Sequence, residues 1–135
     1  MSQSRYLHEY QKNAVNGASP LQLVLMLYDG ALRFMEAGKR AMEAGDLEAQ
    51  NKNLQRAQRI VLELTSCLDM EQGGEIATHL FSLYSYVLNQ LVEANVNDDP
   101  GGIDRSMQVL SDLRSSWDSL SKSLSPEPEE RQRAA

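Results

Sequence analysis

Chemistry in this chain could start at its two histidines, its one cysteine and its carboxylates, and their spacing supports little of it. His8 and His79 have no ligand partner at a helical interval. Two-metal carboxylate bundles set Glu-x-x-His pairs facing inward on their helices, and no such pair occurs. Glu71, Glu75 and His79 share one row on paper, but Gly73-Gly74 interrupts the helix that would align them. A four-helix phosphotransfer domain presents its histidine in a pattern resembling H-x-L-K-G, whereas His79 is followed by Leu80, Phe81 and Ser82. Cys67 continues the row Asn53, Ile60, Cys67 at the edge of an apolar stripe, which reads as a half-buried structural thiol. No glycine-rich phosphate loop, zinc pattern or catalytic triad is recognisable. The expectation is a protein with no catalytic residue, no metal and no cofactor: not an enzyme.

The whole-chain numbers narrow the class further. A length of 135 residues suits one domain, and 41% hydrophobic with 24% charged residues is an ordinary globular composition. Nineteen acidic against thirteen basic residues give a net charge of −6, the wrong sign for nucleic acid or an anionic membrane. The longest apolar run, Leu23 to Tyr28, falls far short of the roughly 20 residues a spanning helix needs, so no direct membrane insertion is expected. A lone cysteine forms no internal disulfide, and no secretory leader is legible, which points to the cytosol.

Proline and glycine divide the chain into four helices. Ser19 as N-cap with Pro20 at N1 starts the first, which runs to about Ala44 and stops at Gly45. Asp46 caps the second, to about Asp69; Gly73-Gly74 precedes the third, Glu75 to about Ala94. Asp99 before Pro100 opens the fourth, to about Leu124. The second repeats Leu47, Leu54, Val61 and Leu68 every seven residues. The third carries Ile76, Leu80, Leu83, Tyr84, Val87, Leu88 and Leu91; the fourth carries Leu110, Leu113, Trp117, Leu120 and Leu124. Short connections make sequential neighbours antiparallel. The predicted fold is all-α: an antiparallel four-helix bundle over 19–124, with a short N-terminal cap segment at 1–18 and a disordered, charged tail at 125–135.

The first helix has more apolar surface than a bundle core requires. One stripe holds Val24, Leu27, Tyr28, Ala31, Met35, Gly38 and Met42; a second, adjoining stripe holds Leu23, Met26, Gly30, Phe34, Ala37 and Ala41. Together they span about 200°, against roughly 100° or more for a surface helix. Either this helix is simply the most buried, or the second stripe forms part of a groove for a segment from elsewhere. Residues 1–18 contain Tyr6, Leu7, Tyr10, Ala14 and Val15, an amphipathic pattern too short to be stable alone, so it docks or frays. His79 and Tyr86 sit seven apart on the polar side of the third helix, as rim residues or as a contact surface.

Two stretches resemble a known family. ASPLQLVLMLYDGAL from Ala18 is similar to the first-helix signature of the flagellar secretion chaperones (FliS). LDMEQGGEIATHLFSLYSYV from Leu68 resembles their second signature, in which a double glycine joins two helices and a Leu-Tyr-x-Tyr pattern follows, here Leu83 to Tyr86. The chain departs from the family at His79, where asparagine is common, and at Val87, where methionine is frequent. The resemblance implies a cytosolic helical bundle that holds the disordered C-terminal segment of flagellin, prevents its premature polymerisation, and is delivered to the membrane export gate of flagellar type III secretion. It also implies an N-terminal region that lies over part of the client surface when no client is bound. With the surplus stripe, the expected flagellin-binding residues are Tyr6, Tyr10, Leu23, Met26, Leu27, Gly30, Phe34, Ile60 and Tyr86, in a monomer or weak dimer. The rival reading is a helical adaptor or regulatory bundle binding an unrelated client helix.

Overall fold

The computed structural model describes residues 19–124. The expected cap segment 1–18, with Tyr6 and Tyr10, and the tail 125–135 lie outside the described residues. Four helices follow in order: α1 (Pro20–Glu43), α2 (Leu47–Ser66), α3 (Met70–Asn97) and α4 (Pro100–Leu124). No strand occurs among the described residues.

Local chemistry explains most boundaries. The Ser19 hydroxyl accepts from the Gln22 amide at 3.1 Å while the Gln22 side chain accepts from the Ser19 amide at 2.8 Å, a reciprocal cap ahead of Pro20. Gly45 takes positive φ after α1, and Asp46 caps α2 by accepting from Ala49 at 3.1 Å. Two boundaries differ from the sequence reading. Helix α2 ends at Ser66 rather than near Asp69, because Asp69 serves as the N-cap of α3 and accepts from the Glu71 and Gln72 amides. A helical turn thus precedes Glu75, and the glycine pair interrupts it as expected: Gly74, with φ 52 and ψ −127, is non-helical in a region open essentially to glycine alone, so α3 is two helical segments joined across a kink.

The helices form a ring in which α1 packs on α2 and α4, and α3 packs on the same two, with no close α1–α3 or α2–α4 backbone approach. Every neighbouring pair runs antiparallel. Gly38 faces Leu54 and Phe34 lies under Arg56 between α1 and α2, while Asp29 meets Arg114 and Lys39 meets Asp104 between α1 and α4. Between α3 and α4, Gln90 accepts from Arg105 at one end and Ile76 and Leu120 share a groove at the other. The core is built from Tyr28, Met35, Leu54, Val61, Leu91, Ile103 and Leu110, none with measurable exposure.

Three members of the predicted stripes are not in that core. Leu47, Ile76 and Leu120 are exposed, the first and last near helix ends where only one side has a neighbour, and Ile76 just past the bend at Gly74. Cys67 is likewise exposed rather than half-buried, because it is the C-cap of α2.

Candidate functional site

Gly38 of the first stripe of α1 and Phe34 of the second both meet α2. Gly38 makes the contact possible: a Cβ there would lie 2.6 Å from Leu54 Cδ2, so the missing side chain lets the two helices approach. One turn earlier the Arg56 guanidinium sits 5.6 Å from the centre of the Phe34 ring, a cation–π contact on the outer side of the seam. Of the expected residues, Leu23, Met26 and Phe34 of the second stripe are half-buried, whereas Leu27 and Gly30 are buried and Ile60 on α2 has no exposed surface. On α1 and α2, Leu23, Met26 and Phe34 thus keep some exposed surface, and Phe34 meets α2 at Arg56.

One residue of this seam escaped the sequence reading. Glu63, nearly one turn beyond Ile60 on the same side of α2, is only 2% exposed, and its Oε1 has no hydrogen-bond partner among the described residues. Burial pushes its carboxyl above the usual carboxylate range. A glutamate in a helix ordinarily marks the solvent side, so no sequence signal could have found it.

Tyr86 is not part of this row. It is exposed on α3, and α3 stands diagonally opposite α1. Nearer to it, α3 and α4 enclose an open apolar groove lined by Ile76, Leu80, Leu113, Trp117 and Leu120, with Glu75, His79 and Ser116 at its edge. Leu62, Phe81, Val92 and Val96 form further exposed apolar positions. On α3, Phe81 and Val92 lie within about 60° of Asn95, whose amide donates to Asn51 of α2, so this second row borders the α2/α3 seam.

Reactive groups are few. Among the described residues, no three of His, Cys, Asp and Glu are placed to hold a metal ion, and no helix is long and apolar enough to cross a membrane. Although the residue is exposed, desolvation of the Cys67 sulfur against the protein and the nearby Glu63 raise its thiol, which lowers its thiolate fraction at neutral pH. The phenols of Tyr28 and Tyr84 are also raised by burial, consistent with hydrogen-bonding rather than acid–base roles.

Rows of apolar side chains left outside a completed core define the class: a helical bundle suited to binding rather than to catalysis. The sequence model of the family described as "Flagellar protein FliS" matches residues 2–124. The flagellar secretion chaperone FliS of Vibrio cholerae is 36% identical over 118 residues, covering 84% of this chain and 87% of that protein. That of Bacillus subtilis is 37% identical over 108 residues (80% of each), and that of Salmonella typhimurium 37% over 115 (84% and 85%). The chain belongs to the FliS family of flagellar secretion chaperones, which are not enzymes.

Proposed function

We propose that the chain is an export chaperone that binds the disordered C-terminal segment of flagellin in the cytosol, keeps it from polymerising early, and presents it to the flagellar export gate. The observation that carries this reading is the half-buried apolar row of Leu23, Met26 and Phe34 on α1, in a member of a flagellar secretion chaperone family. The mechanism is coupled folding and binding: the client loses conformational entropy on ordering, and burial of its amphipathic stretches against such rows offsets the loss. No nucleotide is required, because export itself removes the client. A client that touches both this row and Tyr86 must wrap around the bundle, since the two lie on opposite sides. The N-terminal residues Tyr6 and Tyr10, four apart and able to face one way on a helical turn, act as a removable cover of the same row.

The test is titration of a flagellin C-terminal peptide into wild type and Met26→Glu, with circular dichroism to verify folding. Binding should weaken by about tenfold or more, the scale of losing one well-buried apolar contact. Deletion of residues 1–17 should speed association, because a covered row lowers the binding-competent fraction. A folded Met26→Glu protein that binds as tightly as wild type defeats the site.

A further inference from the structure

The α3/α4 groove lies outside the proposed flagellin row and has a distinct character. Its volume is about 720 Å³, within the range of pockets that receive a bulky apolar group. The two helices approach closely at the other end, where a Cβ on Gly102 would sit 2.9 Å from Ala94 Cβ and 3.1 Å from the Gln90 carbonyl oxygen. At the groove end, beyond the bend at Gly74, Leu113 and Trp117 stand where glycine stood above, and Ile76 is left 71% exposed and Leu120 42%.

Charge around this groove is one-sided. Helix α3 carries Glu71, Glu75 and Glu93 and no lysine or arginine in its 28 residues. Glu75 stands on the groove's edge, and no lysine or arginine lines it. The cations of α4 are engaged elsewhere: Arg105 with Gln90 and Asp99, Arg114 with Asp29 of α1, and Lys122 with Asp118. The α1/α4 seam has cross-helix ion pairs of its own, whereas the outer face of α3 offers apolar anchors beside carboxylates that form no ion pair among the described residues.

We infer that the α3/α4 groove docks a basic amphipathic helix of another protein, a partner separate from the flagellin segment. The walls have the spacing for it: Ile76 and Leu80 are one turn apart on α3, and Leu113, Trp117 and Leu120 follow at four and three residues on α4. Such a two-walled channel takes the apolar ridge of a third helix, whose bulky side chain rests on Trp117. Lysines or arginines flanking that ridge meet Glu75 on the groove's edge. Complementary rim charge governs choice of partner and encounter rate more than raw affinity. An anionic membrane surface is repelled by the same carboxylates.

The probe is a synthetic amphipathic helix of about four turns, with leucines on one face and lysines flanking them, and a twin with glutamate for every lysine. Titration into the full chain, followed by Trp117 fluorescence and calorimetry, should show the lysine peptide binding at least about tenfold more tightly than its twin. Its affinity should fall as salt rises from about 50 mM to about 300 mM. Ile76→Glu and Leu120→Glu, both at exposed positions, should each reduce binding about tenfold or more. Ser115→Glu, which adds the same charge outside the groove, should leave it unchanged. Met26→Glu should also leave it unchanged while weakening the flagellin peptide, so the two sites fail independently. Equal binding of the two peptides, full binding by Ile76→Glu, or displacement by flagellin peptide overturns the assignment. So does a concentration-dependent dimer that Ile76→Glu abolishes, which gives the groove to a second copy.

Discussion

The hydroxyl oxygens of Tyr28 on α1 and Tyr84 on α3 lie 2.5 Å apart, bridging the diagonal of a ring in which these helices make no close backbone approach. Their rings are tilted by 51° with centroids 6.4 Å apart, and both are almost wholly buried. Trp117 of α4 donates its indole N–H to the same Tyr28 oxygen at 2.9 Å, so three helices share one polar junction in an apolar core. Such a junction stabilises only while all its members stay paired.

Tyr28 takes part in two of these bonds and Tyr84 in one, which sets an order for their phenylalanine variants. Tyr28→Phe, which leaves the Trp117 donor and the Tyr84 hydroxyl unpartnered, should cost about 2–3 kcal/mol, and Tyr84→Phe about 1 kcal/mol. Urea denaturation of both singles and the double variant should give less than additive losses. Burial raises both phenols, so their contribution is complete below the ordinary tyrosine value of about 10 and is lost as pH rises through the folded values. The double variant should therefore flatten the alkaline limb of the stability curve.

Glu63 sets a second pH dependence. Burial holds its folded pKa above the ordinary value of about 4.3, so its contribution is complete below that value and is lost as pH rises through the folded one. Glu63→Gln should be more stable than wild type by about 1 kcal/mol at neutral pH, and the two should converge in acid. Denaturant midpoints across that range measure the difference; a variant less stable at neutral pH would reveal a cationic partner for the carboxylate.

The α1/α2 contact turns on Gly38. An alanine there gains up to about 1 kcal/mol in helix propensity but drives its Cβ into Leu54, which is fully buried and cannot swing away. Gly38→Val loses most of that gain and should destabilise by about 2–3 kcal/mol in thermal or urea unfolding. Combining Gly38→Ala with Leu54→Ala should cost less than the sum of the two single changes, because the truncated side chain makes room.

What could be read in the residues themselves was whatever acts over a few positions. Ser19-Pro20, Gly45-Asp46 and Asp99-Pro100 mark helix boundaries because caps and turns are satisfied by neighbours in the chain. The seven-residue spacing of Leu54 and Val61 points a stripe inward for the same local reason. Four stripes on four helices with short connections then leave little but a bundle, and the two signature stretches indicated the family. Periodicity gives a direction around a helix but not what stands there. Leu47, Ile76 and Leu120 share the phase of the core yet lie outside it, while Glu63 is of a residue type that marks the surface and is buried. The bend at Gly74, the closeness of Gly38 to Leu54 and the junction of Tyr28 with Tyr84 and Trp117 arise between residues that are 16 to 89 positions apart or from a backbone angle. Only the packed tertiary structure brings such residues together, because burial is decided by what the other helices place opposite each side chain.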